Sequence, residues 1–399
     1  MLADPRINFV NTENALSVFA RQRYHVGVTK NILTPALLIY RDLVLSNIET
    51  TLRLLNGDPS RWRPHVKTAK LGYVMSMLAG RGVTAFKCAT SLELLTAIQA
   101  GATDVLVAYP AMGANARRIR DISAEHPEVA ISVLVESGGQ LDRWVGSGIG
   151  IFLDINPGMN RTGIEQGRAA DIAELANFVC WAGLEFRGLH YYDGQLGSVP
   201  LPEREVQAHA GYDRLMHIVE TLETNNVPVK EIITAGTPTF PCTLSYPGFS
   251  QPSFVHRASP GTVVYCDATA LEQLPGEFGY LPAALVLSRV VSHPTSEVIT
   301  CDAGHKTLSV DSGVPNCLVV GMNYLEPLHP SEEHLPMRVP EHMLSPQLGD
   351  FLYLIPRHVC PTVNNFDWAL IVAQGKIVGV ERVHARGREK PLLPQSALA

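Results

Sequence analysis

The sequence of 399 residues contains no run of 18 or more apolar residues, so nothing in it reads as a membrane span. Basic side chains are not in excess: 32 Lys and Arg face 38 Asp and Glu, a formal net charge of −6. A nucleic-acid binder needs a basic face for phosphates, and that class is set aside. Cysteine is sparse. Cys88, Cys180, Cys242, Cys266, Cys301, Cys317 and Cys360 are odd in number and scattered, which makes no disulfide framework and fits a reducing compartment. The opening MLADPRINFVN lacks the basic and apolar stretches of a secretory signal, so a cytoplasmic protein is expected. Low-complexity tracts and short-period repeats are missing from the first 275 residues.

What is present is an alternation of element types. Short apolar and β-branched runs occur at Ala36–Tyr40, Trp62–Val66, Thr84–Cys88, Asp104–Tyr109, Ala130–Val135, Ile149–Ile155, Leu184–Tyr191 and Glu231–Ala235. Longer segments with helical spacing lie between them, such as Leu45–Leu55, Leu92–Ala100, Ala169–Trp181 and Arg204–Thr224. Continuous apolar runs suit parallel strands covered on both faces. Eight such units predict an α/β fold, a closed (β/α)8 TIM-type barrel, with an open doubly wound sheet as the rival. After about residue 275 the texture changes to short strand candidates separated by Pro, Gly, Asp and His, at Ala283–Ser292, Glu297–Cys301, Asn316–Val320, Phe351–Leu354 and Ala369–Val372. This predicts a second, mainly antiparallel β domain. The expected boundaries are 33–275 for the barrel and 276–385 for the second domain, with 1–32 packing on the latter. The Pro-rich stretch Glu326–Pro346 reads as a loop and the last dozen residues as a frayed tail.

In such a barrel the chemistry sits at the C-terminal ends of the strands. The second run leads into Arg63-Pro64-His65-Val66-Lys67-Thr68-Ala69-Lys70. An inward, partly buried Lys67 would have the lowered pKa that a Schiff-base lysine needs; a surface lysine reads the same way. Arg161, between Gly158 and Gly163 after the sixth run, can hydrogen-bond a cofactor ring or an anion. The seventh run ends in His190-Tyr191-Tyr192-Asp193, where a general acid or base belongs. Gly236-Thr237-Pro238-Thr239 after the eighth run, and Ser259-Pro260-Gly261-Thr262, are candidate phosphate cradles. In the second domain His358 and Cys360, two apart in an expected extended segment, are candidate zinc ligands of a catalytic rather than structural site. Glu332, Glu333, His334 and the turn from Cys301 to Lys306 are further candidates, though charged loop residues are commonly only solvated.

In this order the motifs Pro64-His65-Val66-Lys67-Thr68, Gly158-Met159-Asn160-Arg161-Thr162-Gly163, Gly236-Thr237-Pro238-Thr239 and His358-X-Cys360 resemble the alanine-racemase-fold pyridoxal-phosphate enzymes of the D-threonine aldolase and eukaryotic-type D-serine dehydratase family. The resemblance runs from about residue 33 to 383. It implies that Lys67 forms the Schiff base with pyridoxal 5′-phosphate and that Arg161, with Tyr191, contacts the cofactor. Gly236, Thr237, Gly261 and Thr262 would hold its phosphate. His358 and Cys360 would bind a divalent metal, Zn2+ ahead of Mn2+ or Mg2+, beside the substrate's β-hydroxyl. Relatives are generally homodimers. Within the family, His-X-Asp accompanies the aldolases and His-X-Cys the dehydratases, so Cys360 tilts toward elimination from a small D-amino acid such as D-serine or 3-hydroxy-D-aspartate. Retro-aldol cleavage to glycine and an aldehyde, with His190 or Tyr191 as base, is the alternative. A racemase would need a second base and no metal, and a non-catalytic cofactor carrier would be a bare barrel. Many relatives read Lys-Thr-His-Lys where this chain has Ala69.

Overall fold

The first strand of the chain, β1 (Ala36–Tyr40), does not open the barrel. In the computed structural model, which describes residues 22–27, 30–250 and 253–392, it pairs antiparallel with residues 284–287 and parallel with residues 369–372. The run Ala-Leu-Leu-Ile-Tyr has the same apolar signature in either sheet, and only its long-range partners decide between them. By contacts the described residues form two units, 51–261 with 387–392 and 22–50 with 262–386. These boundaries differ from the expected 33–275 and 276–385.

In the first unit seven parallel strands follow one another round a curled sheet. They are β2 (Ala85–Cys88), β3 (Asp104–Val107), β4 (Ala130–Val135), β5 (Gly150–Asn156) with the two-residue β6 (Ile164–Glu165) at its end, β7 (Phe186–Tyr191), β8 (Glu231–Thr234) and β9 (Val255–Ala258). Trp62–Val66, expected as a strand, forms only isolated bridges, yet these reach both edges: Trp62 lies beside Ala258 and His65 beside Lys87. Arg63 N donates to Ala258 O, and Lys87 N to Pro64 O, each at 2.9 Å. Pro64 has no N–H and breaks the ladder. Eight staves thus close the ring, segment 62–66 first and β9, which the eight expected runs did not include, last. The candidate loops expected after strands six, seven and eight therefore follow staves five, six and seven.

Strand alternation fills the ring in layers. Nearest the strand starts, Arg63 makes paired hydrogen bonds to Asp104 and Glu231, and Arg187 joins Asp104. Above this floor Leu106, Leu134, Phe152 and Ile233 form one apolar cluster. Asp154, two residues beyond Phe152 on β5, lies with Lys87 and His190 as buried polar residues at the mouth.

The second unit is one mixed sheet. Its order is β13 (Glu326–Pro327), β14 (Leu335–Arg338), β11 (Val298–Cys301), β10 (Ala284–Thr295), β1, β16 (Trp368–Ala373), β17 (Lys376–Arg382), and β15 (Phe351–Pro356) pairs with β10 and with β12 (Cys317–Val319). All ladders are antiparallel except that between β1 and β16. Glu326–Pro346, expected as a loop, supplies β13 and β14. Pro327 and Pro336 lie in short ladders close to the sheet edge, where a missing donor is tolerated. Alternation along β10 sends Val286 and Val290 into one core and Leu285 and Leu287 into another. Tyr24 and Val26 join the second core, and Tyr24 OH donates to Pro282 O at 3.0 Å. Of the stretch 1–32, residues 22–27 therefore pack on this sheet, while 1–21 lie outside the described residues. The tail is not wholly frayed: Glu389 accepts hydrogen bonds from Arg118. Among the described residues no helix is long and apolar enough to cross a membrane.

Candidate functional site

Lys67 emerges from the first stave at the mouth of the ring and is exposed. Its backbone N–H donates to His65 Nδ1 at 3.2 Å. The burial expected of Lys67 belongs instead to Lys87, at the end of the second stave and 3 % exposed. Burial, and next the positive charge of Lys67, push Lys87 down to about 7. Its Nζ lies 3.2 Å from His190 Nε2, and His190 Nδ1 lies 2.7 Å from Asp154 Oδ1. A carboxylate only accepts, so Nδ1 carries the hydrogen of the neutral ring and Nε2 accepts from Lys87. Burial and then the Lys87 ammonium keep His190 below its usual value, against Asp154. Burial favours the neutral acid at Asp154, but hydrogen bonds from His190 and from Thr162 Oγ1, the latter at 2.7 Å, hold it low.

Thr162 ties this line to the Arg161 loop. Asn156 Oδ1 accepts from Gly158 N and Asn160 N, each at 3.0 Å, and so shapes the turn. Arg161 is exposed, its Cζ 5.0 Å from the centre of the Tyr192 ring. Tyr191, expected at the mouth, faces the other way. Only one of two successive strand residues can point inward, and His190 takes that direction. The Tyr191 ring packs edge-on against Tyr212 in the helix Leu201–Thr224. Tyr192, not singled out in the sequence, stands at the mouth instead.

Staves seven and eight end in glycine turns. A Cβ on Gly236 would lie 2.7 Å from the Tyr192 ring, and one on Gly261 2.5 Å from His65 O. Neither position has room for a side chain; Gly236 N–H donates to Thr239 Oγ1 at 3.3 Å, which shapes its turn, and buried Thr237 follows it. An anion can approach such a surface closely. Together with the amine of Lys67 and the guanidinium of Arg161, this cradle suits a phosphate-bearing aldehyde cofactor.

In the second unit His358 has extended backbone, and the helix Val359–Asn364 starts directly after it. Cys360 therefore stands in the first turn of a helix rather than in the extended segment expected, because Pro361 fits a helix start. His358 Nδ1 donates to Asp311 Oδ2 at 2.5 Å, and a hydrogen bond also joins the His358 and Cys360 side chains. Against its burial, Cys360 and then Asp311 lift His358 to about 9. Thr262, expected at the phosphate, has Oγ1 3.8 Å from Cys360 Sγ. Asp267 accepts from Val359 N at 2.8 Å and pins the loop. Among the described residues no three His, Cys, Asp or Glu gather to hold an ion. A metal here would have two protein donors, with positions left open for water or substrate, and a carboxylate on the far imidazole nitrogen suits that role. Glu332 and Glu333 pair with Lys306 at the surface.

The model described as "Alanine racemase, N-terminal domain" matches residues 39–268. The chain belongs to this family. A second model, "Putative serine dehydratase domain", matches residues 283–372. The chain is 26% identical to the 3-hydroxy-D-aspartate aldolase of Paracoccus denitrificans over 90% of its own length and 93% of that protein. It superposes on a D-threonine aldolase from Filomicrobium marinum with a TM-score of 0.81, at 25% identity, covering 89% of this chain and 96% of that one. A D-threo-3-hydroxyaspartate dehydratase from Delftia sp. HT23 shares the fold, with a TM-score of 0.74 at 20% identity over 88% and 98% of the two chains. The family resemblance read from the motifs and the barrel-plus-β-domain fold both hold.

Sequence reasoning missed Lys87, Asp154, Tyr192 and Asp311. For the first two a signal exists: each is a lone charge inside a continuous apolar strand, Ala-Phe-Lys-Cys and Gly-Ile-Phe-Leu-Asp-Ile-Asn. Such a charge is buried only with partners.

Proposed function

We propose that this chain is a pyridoxal-phosphate- and metal-dependent lyase that eliminates water from a D-β-hydroxy amino acid, D-serine or 3-hydroxy-D-aspartate, to give a keto acid and ammonia. The reading includes a homodimer, as the family resemblance implies. The observation that carries it is the His358 and Cys360 donor pair in the same chain as a barrel with a lysine at its mouth. Pyridoxal phosphate, when bound, supplies an electron sink at the substrate's Cα. His358 and Cys360 would hold a zinc ion, which would supply a Lewis acid for the β-hydroxyl.

The chain's own residues supply the rest. The side-chain-free turns at Gly236–Thr237 and at Gly261 receive the phosphate, and Arg161 beside Tyr192 meets the cofactor ring. Lys67 takes the α-proton as general base. His190 is held in one tautomer by Asp154 and in one position by Lys87. Both of its ring nitrogens are engaged, and Tyr191 faces the helices. Neither is free to take a proton from a β-hydroxyl, which favours elimination over retro-aldol cleavage. The aldolase reading stays second because the 26%-identical relative is a 3-hydroxy-D-aspartate aldolase.

The test is to incubate the protein, loaded with pyridoxal phosphate and zinc, with D-serine, D-threonine and 3-hydroxy-D-aspartate. Keto acid plus ammonia, lost in Lys67→Ala and Cys360→Ala, is the expected outcome. Glycine plus an aldehyde would move the chain to the aldolases.

A further inference from the structure

Lys87 has no part in the reaction just described beyond bracing His190, yet it is the buried ammonium of the barrel mouth. An ammonium has three N–H donors. Among the described residues only His190 Nε2 takes one of them, at 3.2 Å. The ring of Tyr192 is the next neighbour, its centre 5.9 Å away. Asp154 is hydrogen-bonded to the far nitrogen of that imidazole. Desolvating a cation is costly unless hydrogen bonds and opposite charge compensate. Lys67, Arg63 and Arg161 add further positive charge around Lys87, against Asp154 and Asp193. Two unspent donors in a cation-rich recess make a receptor for an anionic oxygen.

The order of the staves says which oxygen. The glycine cradle ends staves seven and eight, Lys67 ends stave one, and Lys87 ends stave two. The first stave is bonded on one side to Ala258 and on the other to Lys87. In pyridoxal phosphate the phosphate arm, the aldehyde and the phenolic oxygen occupy consecutive ring carbons, with the aldehyde in the middle. With the phosphate in the cradle and the aldehyde carbon at Lys67, the phenolic oxygen falls on the Lys87 side.

We propose that Lys87 is a further cofactor-binding residue, its ammonium donating to the phenolic oxygen of pyridoxal phosphate while His190 and Asp154 hold it in place. The inference rests on the cofactor reading above and adds the atom that is recognised.

The experiment compares pyridoxal 5′-phosphate with its 3-deoxy analogue, which lacks that oxygen, by equilibrium titration of cofactor-free protein. Wild type, Lys87→Met and Lys87→Arg are measured. The wild type is expected to prefer pyridoxal phosphate by about ten- to a hundredfold more than Lys87→Met does, the range for one charge-assisted hydrogen bond. Lys87→Arg should keep part of that preference. A purely structural role for Lys87 would weaken both compounds equally, and that result overturns the proposal, as does unchanged discrimination in Lys87→Met. Wild-type protein that binds neither compound would remove the cofactor reading as well, so the two failures are told apart.

Discussion

The ammonium of Lys87 donates to Nε2 of His190 across the mouth of the barrel, and the far nitrogen of that ring is bound to Asp154. One lysine, one imidazole and one carboxylate from staves two, six and five thus form a buried line with a single negative charge at its end. Its members titrate away from their ordinary ranges, which gives the line a measurable signature.

The first prediction concerns stability against pH. The folded pKa of Lys87 is lowered to about 7 from 10.5. Between these values the unfolded chain binds the extra proton, so this group makes stability rise with pH, by an amount on the order of 4 kcal/mol. Below about pH 7 both states are protonated and the full cost is present. In cofactor-free protein the wild type should therefore gain stability relative to Lys87→Met from pH 7 to 10. Denaturant unfolding at several pH values checks this, and parallel profiles for the two proteins would refute it.

Asp104 has the opposite sign. Burial would favour its neutral form, but Arg63 and Arg187 hold it down to about 2. Its stabilising contribution is present above the unfolded value near 3.9 and is lost as pH falls from about 4 to about 2. Asp104→Asn leaves Arg63 and Arg187 short of a charge partner and should cost about 3–5 kcal/mol at pH 7. The deficit should shrink at pH 2.5 in urea titrations.

The two neighbouring tyrosines should separate cleanly. Tyr191→Phe removes a hydroxyl from the helix-facing layer and is expected to lower stability by about 1–2 kcal/mol while leaving pyridoxal phosphate affinity within a fewfold. Tyr192→Ala strips the ring from beside Arg161 and Gly236 and should weaken the cofactor by tenfold or more. Thermal melts and cofactor titration on both variants give the comparison; equal effects on affinity would contradict the assigned directions.

At the second unit, Asp311 orients His358 through Nδ1. Asp311→Ala should weaken zinc about 10- to 100-fold, as loss of a carboxylate behind a metal-binding histidine does. Competition with a chromogenic chelator measures it. Chelation of the wild type should stop keto-acid formation without releasing pyridoxal phosphate.

The motifs around Lys67, Arg161, Gly236 and His358 were legible because each packs its meaning into a few consecutive residues. The Ala36–Tyr40 strand was misread for the opposite reason. Its apolar run is equally at home in a parallel barrel and in the centre of a mixed sheet. Its partners come from some 250 and 330 positions away. The eighth stave, Val-His-Arg-Ala, was missed because its Arg257 joins Glu231 of the ionic floor and the run carries too little apolar signal.

By itself the sequence determined the family, the layered plan of a barrel followed by a β-rich domain, and the short segments that carry the chemistry. These follow from local composition and spacing. Only the tertiary structure decided that Lys67 is open while Lys87 is buried, that Tyr192 rather than Tyr191 faces the mouth, and that Asp154 and Asp311 stand behind the two histidines. Burial and pairing depend on which strands become neighbours and on the direction of one pleat. A single residue's shift in strand register reverses that direction without changing the composition.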